Sequence, residues 1–320
     1  MNLYPIQFHP ILKERIWGGT KLKTVLGKDI TSDITGESWE LSGVKGDVSV
    51  VANGEYEGKS LQELLDEFPN EILGEKIHER FGNEFPLLFK FLDAREDLSI
   101  QVHPNDDLAK KRHNSFGKTE MWYVMQADFD SRIIVGFKHR SRREEYLFNL
   151  QQNSLLDILD TVKTKAGDVF FLETGTVHAI GAGVLIAEIQ QTSDITYRLY
   201  DFDRKDANGN KRDLHVDLAL DAINYEVTDT QKSYSDRQNE ANTIVDCPYF
   251  HTSFIPVNGE FNVSKNGERF TVYMCVEGHF SLEFDNKKYE YKMGDTVLVP
   301  AAMKEYKIDG FGSVLEVFVP

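Results

Sequence analysis

Short β-like runs alternate along the chain with a few patches of helical spacing. Residues 86–103, PLLFKFLDAREDLSIQVH, read as two strands, LLFKFL and LSIQVH, around a charged turn. EMWYVMQ at 120–126 and RIIVGF at 132–137 read as a hairpin, and DVFFLE at 168–173 and VLIAEIQ at 184–190 as two further strands. The C-terminal stretch is almost entirely β, with FTVYMCVEG, FSLEF, YEYKMGDTVLVP and SVLEVFV. Many short strands broken by Gly and Asp turns point to sandwiches or barrels rather than to a parallel sheet.

Helices are expected between these strands. Ser60 and Glu63 form a capping box ahead of LQELLDEF, and Ser141 and Glu144 form a second ahead of EEYLFNLQQ. In 211–224, Leu214, Leu218 and Ala222 recur at a spacing of one helical turn. The polar stretch 226–243 reads as a linker between domains. The chain also echoes itself: KAGDVFFL at 165–172 resembles KMGDTVLV at 292–299, and EMWYVMQ at 120–126 resembles FTVYMCV at 270–276. The two offsets differ by about the length of the helical patch near 139–161, which the second copy lacks. Two related β-domains follow, the first with helical insertions. In this alignment Phe270 stands where the first copy has Glu120, and Glu305 where it has His178.

Composition narrows the class. The chain has 320 residues, long enough for more than one domain, with 41% hydrophobic and 28% charged residues and a formal net charge of −16. That excess of acid disfavours nucleic acid or an anionic membrane as partner, but not a small anionic substrate met by a local basic pocket. Cys247 and Cys275 are too few for a disulfide framework and fit a reducing compartment. The N-terminus has no long apolar run, and no stretch approaches the ~18 apolar residues of a membrane span. A cytoplasmic enzyme is the expectation.

The candidate chemistry lies in strands. Ser99, Gln101 and His103 share one face of LSIQVH, while Leu98, Ile100 and Val102 take the other. Lys118 and Glu120 repeat this geometry, opposite Met121 and Tyr123, and His178 follows DVFFLE within a glycine-rich turn. Two imidazoles, a carboxylate and an amide oxygen facing inward make a divalent-metal site, and the residues alone leave Zn²⁺, Fe²⁺, Mn²⁺ and Ni²⁺ open. Downstream, Arg198 in TYRLY is either half of a buried ion pair or an anchor for phosphate or carboxylate.

Taken together, WGG at 17–19, GESWELS at 36–42, FPLLFKFLDA at 85–94, LSIQVHPND at 98–106, GKTEMWYV at 117–124, ETGTVHAIG at 173–181 and QQTSDITYRLYDFDR at 190–204 resemble the type I mannose-6-phosphate isomerases, in particular their short bacterial form. These are zinc-dependent enzymes of the cupin fold. The match runs in order over about residues 5–220, and 245–320 matches only as a degenerate second cupin. The resemblance implies a mainly β fold of two cupin-like jelly-roll domains. The first would be a catalytic domain over 1–235 with helical insertions near 55–85, 104–116, 139–161 and 211–224; the second, over 236–320, would lack a metal site.

It further implies one Zn²⁺ per chain on His103, Glu120, His178 and Gln101, catalytic roles for Arg198, Lys118 and Glu188, and substrate contacts from Lys90, Ser99 and Trp17. The family reaction is reversible conversion of mannose 6-phosphate to fructose 6-phosphate through a metal-stabilised cis-enediolate. A buried Lys118 beside a dication is expected to have a lowered pKa and to shuttle a proton, with Glu188 or a metal-bound water as rival bases. The partner is then a small sugar phosphate, with no nucleic acid or membrane, and the chain a monomer or homodimer. Two other readings are an Fe²⁺ cupin dioxygenase, since two His and one carboxylate also make a facial triad, and a cupin that binds sugar phosphate without turnover.

Overall fold

Alternating sequence becomes strand over most of residues 3–205 and 208–320, the parts of the chain that the computed structural model describes. The first elements are β1 (Ile11–Gly19), α1 (Lys21–Thr24), β2 (Thr35–Ser42), α2 (Leu61–Glu67), α3 (Pro69–Leu73), α4 (Glu75–Phe81), β3 (Leu87–Ala94), β4 (Ile100–Val102), α5 (Asp106–His113), β5 (Glu120–Ala127) and β6 (Arg132–Phe137). Then come α6 (Arg143–Gln151), α7 (Leu155–Ile158), β7 (Leu159–Lys163), β8 (Val169–Leu172), β9 (His178–Ile180), β10 (Val184–Gln191), β11 (Tyr197–Tyr200), α8 (Val216–Ala219) and β12 (Gln231–Lys232). The C-terminal module holds β13 (Asn242–Asp246), β14 (His251–Ser264), β15 (Thr271–Phe284), β16 (Lys287–Lys292), β17 (Thr296–Val299) and β18 (Glu305–Phe318). The protein is mainly β with inserted helices, as the sequence implies.

Two sheets make the first module. One has seven strands in the order β1-β2-β3-β10-β5-β8-β12, the other five in the order β11-β4-β9-β6-β7. They pack face to face through Leu92, Trp122, Val124 and Ile186 on one side and Ile133, Val135 and Ile180 on the other. The outer face of the five-stranded sheet, with Ile100, Val102, Ile134 and Leu199, is covered by Tyr146, Leu155, Ile158, Leu220 and Ile223 from the helical segments. The outer face of the larger sheet, with Phe89, Phe91, Met121, Tyr123 and Ile189, shares one core with Phe250, Phe254, Phe270, Val272 and Leu315 of the C-terminal module. The large sheet is therefore buried on both faces, which is why β2, β3 and β10 are buried at every position.

The C-terminal sheet runs β13-β14-β18-β15-β16, with β17 added on β15. Its long strands fold over on themselves. Tyr273 and Phe280 lie on one strand, where seven residues span about 23 Å if straight, yet their ring centroids are 6.2 Å apart. A register break between Cys275 and Glu277 and a positive φ of 65° at Gly278 make this bend.

The internal echo is structural. Gly167 donates to the Val124 carbonyl and Gly294 to that of Cys275, while Lys165 N–H and Lys292 N–H bond the Asp168 and Asp295 carboxylates. Cross-strand pairs agree: Tyr123 faces Val169, and Met274 faces Thr296. The equivalence is therefore one residue away from the alignment read in the sequence, and Glu120 corresponds to Thr271, not Phe270. A one-residue slip matters because it exchanges the two faces of a strand.

Other local expectations are corrected. The runs 120–126 and 132–137 do not form a hairpin; the turn between them carries the chain from one sheet to the other. The Ser60 capping box is present, but α6 begins at Arg143 with no side-chain cap, and Ser141 bonds Glu145 at 3.0 Å instead. The 211–224 segment keeps only the short α8, with Ala219, Leu220 and Ile223 buried while Leu214 and Leu218 are exposed. Part of the expected linker is β12, which extends the large sheet beside β8. Leu98 precedes β4 and packs inside the sandwich, away from Ile100 and Val102.

The C-terminal end of α3 is anchored by the C-terminal module. The carbonyls of Glu71, Ile72 and Leu73, which have no partner within a helix that ends there, accept N–H groups from Ala302, Ala301 and Phe270. Gly74 lets the chains come this close: its φ is 88° and ψ 151°, and a Cβ there would lie 2.2 Å from the Glu268 carbonyl oxygen. Gly74→Ala is expected to lower stability by at least about 2 kcal/mol. Urea unfolding checks this, and the shared core predicts a single transition; an unmoved midpoint, or two separate transitions, would contradict it.

Candidate metal centre

Strand register builds the site from two rows of side chains. On the large sheet, Trp39, Lys90, Glu188 and Trp122 are successive cross-strand neighbours on β2, β3, β10 and β5, and Glu120 lies opposite Gln190. On the small sheet, Arg198 faces Gln101 and Gln101 faces His178. The same inner faces are apolar at the other end of the sandwich. Polar residues thus collect where the two rows meet.

His103 Nδ1 donates to the Ile195 carbonyl at 2.9 Å, and His178 Nδ1 to that of Thr176 at 2.8 Å. These bonds select the tautomer that leaves each Nε2 as a lone pair. Both point at Glu120, 3.5 Å from Oε2 for His103 and 3.3 Å from Oε1 for His178. Glu120 Oε1 is buried and receives no donor. Gln101 Nε2 lies 3.3 Å from His178 Nε2. Lys118 Nζ is 3.1 Å from His103 Nε2 and donates to Glu120 Oε2. Among the described residues, His103, Glu120 and His178 are the group of side chains whose donor atoms all fall within 4.8 Å of one another. Converging lone pairs in a buried setting are the donor set of a divalent cation.

Burial governs the charges. It depresses the imidazoles, His103 far below its ordinary value and His178 to about 4, with Lys118 adding to the effect. It lifts the Glu120 carboxyl to about 7, only partly opposed by Lys118. Burial would also raise Glu188, but Lys90 and Lys118 outweigh it and hold that carboxyl at about 2. On Lys118 burial acts downward, but Glu120 and Glu188 outweigh it and raise it above its ordinary value.

Beside this cluster opens a cavity of about 510 Å³, of ligand-pocket size, with Trp17, Lys90, Ser99, Gln101, Lys118, Glu188 and Arg198 in its walls. Every candidate site residue from the sequence is thus brought to one place. Glu188 is gripped by Lys90 at 3.0 Å and by the Trp122 indole N–H at 2.9 Å. Arg198 is half-buried. It donates to the Asp213 carbonyl at 2.8 Å, its Nε is buried without a partner, and no ion pair of it occurs among the described residues. The nearby Asp201 is occupied by Arg204 and Arg212. The geometry thus favours the anchor over the buried ion pair for Arg198.

Sequence reading missed Glu37, Trp39 and Gln190. Glu37 accepts from Arg15 at 2.7 Å and from the Trp39 indole at 2.6 Å, and Lys90 Nζ lies 5.0 Å from the Trp39 ring centroid while bonding Gln190 at 2.7 Å. The available signal was the two-residue spacing in GESWEL and AEIQ, which places polar groups on the inward faces.

Two family models match the chain: "Phosphomannose isomerase type I, catalytic domain" over residues 6–126 and "Mannose-6-phosphate isomerase, cupin domain" over 240–319. Mannose-6-phosphate isomerase ManA of Bacillus subtilis is 38% identical over 319 residues, covering 98% of this chain and 99% of its own. The mannose-6-phosphate isomerase of Streptococcus mutans is 36% identical over 312 residues, covering 96% and 95%. The crystal structure of a Bacillus subtilis mannose 6-phosphate isomerase superposes with a TM-score of 0.91 at 36% identity, over 98% of this chain and 99% of that one.

A cation that binds this cluster joins β4, β5 and β9 and stabilises the folded state by mass action, by about 2.7 kcal/mol at a free concentration 100 times its Kd. Because the modules share a core, chelation should lower the whole melting transition rather than that of the first module alone. Calorimetry before and after chelation checks this, and an unchanged transition after proven metal removal would contradict it.

Proposed function

The chain belongs to the type I phosphomannose isomerase family, and we propose that the cavity beside His103, Glu120 and His178 is where it interconverts mannose 6-phosphate and fructose 6-phosphate. It is an aldose–ketose isomerase. Full-length similarity to named isomerases favours this over an iron dioxygenase and over a cupin that only binds. The observation that carries the site assignment is a metal-ligand cluster lying beside a cavity whose walls hold Lys90, Lys118 and Arg198.

The donor set fits a divalent metal, and we assign zinc, held by His103, Glu120 and His178 with the Gln101 amide alongside. Imidazole and carboxylate suit it, and zinc brings no redox chemistry. When bound it supplies Lewis-acid stabilisation, several kcal/mol, to negative charge developing on the sugar oxygens O1 and O2 as the proton moves between C2 and C1.

The protein's own groups do the rest. Lys118, reaching both His103 and Glu120, offers an ammonium proton to O1 and O2 where charge accumulates. Each oxygen of Glu188 accepts one hydrogen bond, from Lys90 or Trp122, and keeps a lone pair, so this carboxylate orients Lys90 and is also the base that takes the C2 proton and returns it at C1. Arg198 stands in the cavity wall without an ion-pair partner among the described residues, and its guanidinium is the group to meet negative charge there. Ser99 and Trp17 line the walls and shape the space around the sugar.

The test is an isomerase assay on mannose 6-phosphate with metal content measured on the same sample. Wild-type protein is expected to turn over. Lys118→Met and Arg198→Ala should each lose roughly 100-fold or more in kcat. Arg198→Lys should recover little, because an ammonium lacks the planar fork of donors. A folded, metal-loaded protein without activity would overturn the substrate assignment.

A further inference from the structure

The segment that carries Lys118 and Glu120 is held from outside the cavity. Gln191 grips Thr119 twice: its side-chain Oε1 accepts the Thr119 N–H at 2.9 Å, and its own N–H bonds the Thr119 carbonyl at 3.1 Å. Asp106 Oδ1 accepts the Gly117 N–H at 2.8 Å and the Gln191 side-chain N–H at 3.0 Å. The Lys118 N–H bonds the Pro104 carbonyl at 3.2 Å. The N–H groups of 117, 118 and 119 are thus all tied to the chain just after His103 or to Gln191. The other Asp106 oxygen accepts the hydroxyl of Tyr249 at 2.9 Å. Tyr249 belongs to the C-terminal module, in the turn between β13 and β14.

We infer that Asp106 and Gln191 are positioning residues for Lys118 and Glu120, and that Tyr249 makes the C-terminal module part of this support. The inference rests on the roles proposed above for those two residues. The chain of contacts is Tyr249 to Asp106, Asp106 to Gln191, and Gln191 to the peptide between Lys118 and Glu120. Each link is a hydrogen bond with a defined donor. Gln191 and Thr119 are buried, so water cannot replace a lost partner. A shift of the 117–120 backbone moves the Lys118 ammonium and the Glu120 carboxylate together, and small displacements at a reacting centre cost rate steeply. This gives the C-terminal module, which brings none of the clustered ligands, a role in the chemistry.

The test uses the wild-type chain, four single variants, Tyr249→Phe, Asp106→Ala, Asp106→Asn and Gln191→Glu, and the double variant Tyr249→Phe with Asp106→Ala. Three quantities are read: kcat and KM on mannose 6-phosphate, zinc affinity of the chelated protein against a chromophoric chelator, and the melting temperature. Asp106→Ala and Gln191→Glu are expected to lose about 10–100-fold in kcat and in zinc affinity, with KM little changed. Gln191→Glu keeps the acceptor for Thr119 but sets a carboxylate against Asp106. Tyr249→Phe should lose less in the same direction. Asp106→Asn, which keeps an oxygen for both N–H groups, should retain more than Asp106→Ala.

Joining Tyr249→Phe to Asp106→Ala should cost no more than Asp106→Ala alone. Variants that melt earlier yet keep wild-type kcat and zinc affinity would overturn the inference, and so would losses that multiply in the double variant. If wild-type protein binds zinc but does not turn over mannose 6-phosphate, the substrate reading fails, and zinc affinity still decides the positioning role. If wild-type turns over and the variants match it, the positioning role alone fails.

Discussion

Lone pairs that converge in a buried space repel one another unless a positive charge lies among them, and the architecture around His103, Glu120 and His178 answers that constraint. Each imidazole is locked by a backbone carbonyl on its outer nitrogen, so neither ring can turn its lone pair away. Glu120 cannot retreat, because β5 is paired on both edges. Lys118 meets part of the demand, and Glu120 Oε1 is left without a donor. A divalent cation is the partner for which such a set is built.

The sandwich makes this arrangement affordable by dividing its interior. One end of the space between the sheets is filled by Leu92, Val124, Ile133, Val135 and Ile186, and the polar rows occupy the other. Glu188, Lys90, Gln190 and the two tryptophans satisfy one another across four strands, so charge is buried in pairs rather than singly. The large sheet that carries them is clamped on its far face by the C-terminal module, whose backbone also takes up the last carbonyls of α3. The second β-module is thereby part of the frame that holds the site, even though it repeats the strand-and-turn unit of the first.

Strand periodicity made the site legible in sequence, because a period of two needs no tertiary context. Gln101 with His103 and Lys118 with Glu120 could be assigned to inward faces, and the GESWEL spacing held the same information for Glu37 and Trp39. Which strands pair was not legible. The 120–126 and 132–137 runs look like a hairpin because only five residues separate them, but packing between sheets sends them apart. The helix read in 211–224 had good spacing, yet tertiary burial chose Ala219, Leu220 and Ile223 over the leucines on the predicted face. The Ser141 hydroxyl met Glu145 instead of capping α6. The echo was visible, but its register was off by one, because adjacent hydrophobic residues in β15 fit either alignment until the cross-strand hydrogen bonds are known. Asp106, Gln191 and Tyr249 lie far apart in the chain, and no local pattern joins them.

We propose that isomerisation depends on a cation held by the buried acceptor cluster. The most direct test is a titration of chelated, folded protein with zinc, following fructose 6-phosphate formed from mannose 6-phosphate and zinc bound per chain together. Activity should start near zero, rise linearly with bound zinc and reach a plateau at one ion per chain. Full activity in metal-free protein, or zinc bound to one equivalent without any gain in turnover, would contradict it.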